Sequence, residues 1–321
     1  YVFVRRGTNW TQQAYIKASN TATNSYFGRS VAVSGDTIVA GAPAEHGSAI
    51  GVNGDPFDRR APLSGAAYVF VRHGTNWTQQ AYLKASNTGA GDRFGYGVAI
   101  WDDTIAVGAD REDSNATGIN GNQNDERATN SGAAYVFVRR GTIWTQQAYL
   151  KAPVAQPEAG FGVRLSIFDD TLLIGGGGAR IFARAGTQWT LQADLKASNS
   201  SQDDFFGYSV AVAESTALVG AYGESGRATG VDANQNARQA TNSGAAYVFG
   251  RRGTTWSQEA YLKASNGGAN DFFGGAVALA RDTLVVGASW ESSNATGVDG
   301  DQNDNRATHS GAAYIFIRSR N

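Results

Sequence analysis

Residues 94–109 read Phe-Gly-Tyr-Gly-Val-Ala-Ile-Trp-Asp-Asp-Thr-Ile-Ala-Val-Gly-Ala, running from Phe94-Gly95 to Gly108-Ala109. Two short apolar runs flank Asp102-Asp103, a pair suited to a tight turn, so the stretch reads as a β-hairpin. Beyond a long polar loop comes Ala133–Arg139 (Ala-Ala-Tyr-Val-Phe-Val-Arg), then a Gly141-Thr142 turn and Trp144–Lys151. The unit therefore has four predicted strands: Phe94–Trp101, Thr104–Ala109, Ala133–Arg139 and Trp144–Lys151. β-branched and aromatic residues dominate them, as half-buried pleated surfaces require. No segment carries a helical period.

The same unit recurs along the chain. Phe-Gly pairs begin at Phe27, Phe94, Phe161, Phe206 and Phe273, and Trp10, Trp77, Trp144, Trp189 and Trp256 follow Gly-Thr-x; both sets are spaced 67, 67, 45 and 67 residues apart. Regular self-similarity marks a repeat architecture. The repeats span 1–67, 68–134, 135–179, 180–246 and 247–313, with a partial one at 314–321, and are expected to build a single domain over 1–321. The fold class is all-β: a β-propeller of four-stranded antiparallel blades, five in this chain, whose radial packing protects the sheet edges. The ends are out of phase, because Tyr1–Arg6 and Ala313–Arg318 are both third strands. Trp10–Lys17 is expected to supply the fifth blade's missing fourth strand and close the ring. The surplus third strand would dangle, pair with another subunit, or belong to a longer array.

The third repeat is 22 residues shorter than the others. All of the missing residues come from the loop between the second and third strands, so that loop is not needed to build a blade. The other four repeats keep it, at Pro43–Ser64, Asp110–Ser131, Tyr222–Ser243 and Ser289–Ser310. Long loops of this kind usually carry function. Strand parity places them on the same face as links such as Ser86–Arg93.

The Phe-Gly pair followed by Gly-Ala resembles the FG-GAP repeat of integrin α-chain propellers and their bacterial relatives. Gly41-Ala42-Pro43 matches its second half fully; Gly108-Ala109, Gly220-Ala221 and Gly287-Ala288 lack the proline, and the third repeat has Gly175-Gly176. The resemblance covers nearly the whole chain. It implies a propeller and a role in adhesion or recognition, at an extracellular or cell-surface location and of bacterial type. The calcium loop that relatives carry between the first two strands does not transfer, because turns such as Ser34-Gly35-Asp36 are too short to wrap a cation. The family norm of seven blades also differs from five.

Composition narrows the function classes. With 27 basic and 28 acidic residues the charge is −1, which leaves no footprint for nucleic acid. No apolar run is long enough for membrane insertion. The absence of cysteine removes disulfides, thiolate metal sites and cysteine nucleophiles. Only His46, His73 and His309 exist, at unrelated repeat positions, so a catalytic triad has little material and no enzyme activity is expected.

The expected ligand-binding residues are Trp290, Asn122, Asn234 and Asp301, all in long loops. The sequence Asp299-Gly-Asp301-Gln-Asn303-Asp304 spaces oxygen side chains as the start of an EF-hand does. Calcium is therefore the one cofactor considered, on Asp299, Asp301, Asn303 and Asp304; the alternative is that these residues close Asx turns. The once-per-blade tryptophans read as packing between blades. Lys17, Lys84, Lys151, Lys196 and Lys263 read as charges that blunt the outermost strand. The expected function is non-catalytic binding of a protein or glycan through the long loops by a monomer. The alternative is a self-assembling repeat protein that associates end to end or by strand swapping through its surplus terminal strand.

Overall fold

The computed structural model describes residues 1–199, 201–235 and 238–318. The chain divides into two compact units, Tyr1–Val163 and Arg164–Asn321. The first contains a hairpin of β1 (Val2–Arg6) and β2 (Asn9–Ala14) and two four-stranded sheets. These are β3 (Ser30–Ser34), β4 (Thr37–Ala42), β5 (Ala66–His73) and β6 (Asn76–Leu83), then β7 (Gly97–Trp101), β8 (Thr104–Ala109), β9 (Ala133–Arg140) and β10 (Ile143–Leu150). The second unit holds β11 (Arg164–Phe168), β12 (Thr171–Gly175), β13 (Ala179–Ala185) and β14 (Gln188–Leu195), followed by β15 (Ser209–Ala213), β16 (Thr216–Ala221), β17 (Ala245–Arg252) and β18 (Thr255–Leu262). It ends with three strands, β19 (Phe273–Ala280), β20 (Thr283–Ala288) and β21 (Ala312–Ile317). Every strand pairs antiparallel with its sequence neighbour, as the repeat predicts. Among the described residues the one helical turn is 3-10, Gln202–Asp204.

In most repeats the Phe-Gly pair is a bend before the first strand. Phe94 is fully buried and packs edge-on against Tyr135 and Phe137, with ring centroids 5.3 and 6.1 Å apart. Gly95 has φ +89°, and its carbonyl faces Gly41 of the preceding blade so closely that a Cβ on Gly41 would lie 1.9 Å from that oxygen. The same apposition recurs at Gly108 with Gly162 and at Gly220 with Gly274. Phe-Gly of one blade and Gly-Ala of the blade before it are thus the two halves of one backbone contact, which explains why both glycines are required.

The fourth strands carry a bulge that serves the next blade. In β6 the register passes from Ala81 opposite Val69 to Gln79 opposite Phe70, leaving Gln80 unpaired. The bulge turns the Gln80 amide outward, where its oxygen accepts the indole N–H of Trp144 at 2.7 Å. Trp77 donates likewise to Gln13 at 2.9 Å, and Trp256 to Gln192 at 2.7 Å. The arginines at the end of the third strand cover these rings: Arg139 lies 5.1 Å over Trp144 and also pairs with Asp103. Trp77, Trp144 and Trp256 therefore each join their blade to the strand pair before it, as expected.

One expectation changes. The lysines are not edge charges where a long loop is present. Lys84, Lys151 and Lys263 are buried, and each meets a buried glutamate from the start of the loop: Glu45 at 3.1 Å, Glu112 at 2.7 Å and Glu224 at 2.8 Å. In the second blade Lys151 also donates to Ser131 at 2.7 Å, Tyr149 donates to Glu112 at 2.9 Å, and Asn87 from the preceding link donates to Glu112 at 2.8 Å. Burial pulls the Lys151 pKa down, while Glu112 opposes the shift. One site thus gathers loop, link and third and fourth strands. The third blade lacks the loop and hence the glutamate; its Lys196 is exposed, and Arg180 and Asp194 stand where Tyr135 and Tyr149 stand, paired at 3.1 Å.

At the ends of the repeat array, β2 pairs with β1, and β19–β21 form a sheet of three. Only Gly7 and Thr8 separate β1 from β2, so this local pairing has a small loop-closure cost.

Candidate functional site

The long loops are tied down from end to end. In three of them the first Asn or Asp accepts a backbone N–H of the fourth strand: Asn53 from Tyr82, Asn120 from Tyr149 and Asp232 from Tyr261, each at 2.9 Å. The next acidic or amide residue closes an Asx turn. Asp55 accepts from Phe57 N–H at 2.9 Å, Asn122 from Asn124 at 3.1 Å and Asp301 from Asn303 at 3.0 Å. An Asp-x-Arg fork follows, with Asp58–Arg60, Asp125–Arg127 and Asp304–Arg306 bidentate pairs. The Arg306 guanidinium holds the Asp304 carboxyl below its ordinary pKa.

This arrangement does not fit calcium at Asp299, Asp301, Asn303 and Asp304. Asp301 accepts the Asn303 backbone N–H, and both carboxylate oxygens of Asp304 accept from the Arg306 guanidinium. Among the described residues no three His, Asp or Glu side chains converge as a metal site. Millimolar calcium is expected to leave the melting temperature unchanged; a calcium-dependent rise, the signature of native-state binding, would overturn this assignment.

Of the four expected ligand-binding residues, Asn122, Asn234 and Asp301 occupy equivalent positions in three separate loops. Trp290 differs from them, because it belongs to a run of aromatic rings in the second unit. The run begins with Phe205 stacked on Tyr222 (4.8 Å, interplanar angle 12°), with Tyr208 edge-on to Tyr222 at 4.4 Å. Tyr222 meets Phe272 at 5.5 Å, Phe272 meets Trp290 at 4.8 Å, and Trp290 stacks on His309 at 4.4 Å. Arg164 lies 5.3 Å over Tyr208 at the far end.

Backbone geometry places these rings. Phe205, Phe272 and His309 all have left-handed φ, at 53°, 56° and 55°, and such bends turn the links and the loop end toward one another. Tyr222 follows β16 directly, and Trp290 is the second residue after β20. Trp290 is 45% exposed and Phe205 52%, so the strip presents ring faces and edges to solvent. Partial burial raises the Tyr222 pKa, with Tyr208 adding to the shift, so its hydroxyl stays a neutral donor and acceptor. A cavity of about 690 Å³ runs beside the strip, lined by Tyr208, Tyr222, Phe272, Trp290, Ser289 and Ser310.

The strip is confined to this unit. At the corresponding repeat positions the first unit carries Tyr26, Arg29, Arg93, Tyr96 and Asp110, joined by cation–π contacts (Arg93 4.2 Å from Tyr96) and an Arg93–Asp110 pair at 3.4 Å. Sequence reasoning found Trp290 because it breaks the repeat. Tyr222 breaks it too, standing where Pro43, Asp110 and Ser289 stand in the other long-loop repeats, whereas Phe272 and Tyr208 have aromatic counterparts in Tyr26 and Tyr96 and carry no such signal.

The family model described as FG-GAP repeat matches residues 10–70, 77–137, 189–249 and 256–316. A search of curated proteins finds no match. Among solved structures, the chain is similar to the computationally designed Ika4 protein (10% identity, 70% of this chain and 91% of that one, TM-score 0.37). It is also similar to the six-bladed β-propeller fucose-recognising lectin of Aleuria aurantia (12% identity, 81% of this chain and 70% of that one, TM-score 0.41).

Proposed function

From the premise that the chain belongs to the FG-GAP repeat family, we propose that it is a non-catalytic recognition propeller that binds a glycan. The site is the aromatic strip of the second unit together with the long loop Ser289–Ser310, and the protein works outside the cell or at its surface. The observation that carries this reading is the partly exposed run from Tyr208 through Tyr222 and Phe272 to Trp290 and His309. Flat rings stack on the C–H faces of sugars, and hydroxyls such as those of Tyr222, Ser289 and Ser310 set orientation in a pocket that is otherwise apolar.

A glycan array probed with the parent chain and with Trp290→Ala tests this. Trp290→Ala is expected to weaken the best glycan hit by about thirtyfold, the effect of losing an anchor worth roughly 2 kcal/mol. Asn122→Ala, in a different loop, is expected to leave binding unchanged. Equal binding by the Trp290 variant would move the site elsewhere.

The reading includes five blades, the last completed by the strand Trp10–Lys17.

A further inference from the structure

Asp92 lies at the end of the link that enters the second repeat, and it is only 4% exposed. Its carboxylate accepts the Gly89 N–H at 2.8 Å, a contact confined to the link itself. The fourth repeat has the same aspartate, Asp204, also buried, and there a cation completes the site. Arg238, 34 residues further on in the long loop, donates to both Asp204 carboxylate oxygens. At the same separation from Asp92 the second loop carries Glu126. A residue of the opposite charge thus stands where the partner of the buried aspartate belongs.

The other groups around Asp92 do not supply the missing cation. From the loop, Glu112, Asp113 and Glu126 all act on it as like charges, while Arg127 is forked with Asp125. Arg93, next to it in the link, pairs with Asp110 at 3.4 Å. At the ends of the fourth strands Lys84 feels Asp92 but is held by Glu45 at 3.1 Å, and Lys151 is held by Glu112 at 2.7 Å. From β9 comes Tyr135, whose hydroxyl donates to Asn87 at 2.6 Å. Link and loop are joined around this cluster. Asn87 donates to Glu112 at 2.8 Å and to the Gln123 carbonyl at 3.2 Å, and the Arg111 N–H donates to the Asp92 carbonyl at 3.3 Å.

We propose that Asp92 is a proton-operated latch for the second long loop: with its carboxyl neutral, residues 110–131 lie closed on the link, and with it ionised the loop loosens. A neutral carboxyl keeps the Gly89 contact through its carbonyl oxygen and gains an O–H donor that a loop carboxylate can accept. An ionised one is buried beside three like charges. Burial, partly offset by the Gly89 N–H and reinforced by the loop carboxylates, pushes the Asp92 pKa up to about 7. Lifting the loop lets water reach the carboxyl and returns it to the ordinary range near 4. The closed state therefore holds a proton that the open state releases. Its advantage is full below about pH 4, declines as the pH climbs, and is gone above about 7.

Hydrogen exchange of residues 110–131, normalised to the intrinsic rate at each pH, reads this opening. Protection in the parent chain is expected to fall at least tenfold from pH 5 to pH 8. Residues 222–235, in the loop whose Arg238 pairs with Asp204, should stay within twofold and serve as the control in the same molecule. Asp92→Asn keeps an acceptor for Gly89 and should hold the pH 5 protection throughout. Glu126→Arg, which rebuilds the pair of the fourth repeat, should raise protection at pH 8 at least tenfold. A carbon-13 carboxyl titration of the unsubstituted chain should show Asp92 ionising at about 7. Parent protection as high at pH 8 as at pH 5, an equal fall in residues 222–235, or a fall that Asp92→Asn leaves in place would each overturn the latch. So would an Asp92 midpoint within the ordinary carboxylate range, whether or not either variant folds.

Discussion

Replacing Glu112 by leucine is expected to lower the unfolding free energy of the Tyr1–Val163 unit by about 3–5 kcal/mol, read as a fall in the denaturant midpoint. The carboxylate is almost fully buried and sits 2.7 Å from the equally buried Lys151 ammonium. Removing it leaves a positive charge in a poorly polarisable site with Ser131 as its remaining side-chain acceptor, and it takes an acceptor from the Tyr149 hydroxyl and one of two from the Asn87 amide, which keeps the Gln123 carbonyl. The double variant Glu112→Leu/Lys151→Met should recover much of the loss, because an apolar pair carries no desolvation penalty. Lys196→Ala, at the same repeat position in the blade without a long loop, should stay within about 0.5 kcal/mol of the parent. A Glu112→Leu midpoint equal to the parent's would show that the pair does not hold the loop.

That contrast shows what the sequence could reveal. The strands were legible because apolar alternation and turn residues act locally, and the observed β7–β10 lie within a few residues of the predicted four. The lysines were misread because burial depends on a partner more than thirty residues away. The clue was nevertheless present: Glu45, Glu112, Glu224 and Glu291 open the four long loops, and the third repeat, which lacks the loop, lacks the glutamate. Arg180 and Asp194 replace two tyrosines in that same repeat. The aromatic strip was only partly legible, since its rings come from links and loop ends of different repeats, and period alone does not bring them together. The loop residues Asp301 and Asp304 show the reverse case: a spacing suggestive of metal ligation is satisfied by backbone N–H groups and Arg306.

The Gly108→Ala variant carries the other large effect, and its counterpart at Gly287 provides the control. A Cβ on Gly108 would lie 1.9 Å from the Gly162 carbonyl oxygen and 2.8 Å from its carbon, with backbone on the far side and no flexible side chain to yield. The backbone segments carrying these two glycines must separate or bend, at a cost of about 3 kcal/mol, the upper end for overpacking a dense interior. Gly162 cannot relieve the clash cheaply. It has φ +93°, and a Cβ on it would itself lie 2.3 Å from the Ala133 carbonyl oxygen, so both partners are held by backbone. At Gly287 the same substitution meets only the Ala276 Cβ at 3.6 Å, an ordinary contact. Gly287→Ala should therefore unfold within about 0.5 kcal/mol of the parent when the chain is dilute. Equal losses at the two positions would mean that the glycine of Gly-Ala is needed for strand geometry within the blade. A loss confined to Gly108 identifies it as the place where the next blade's Phe-Gly bend comes to rest.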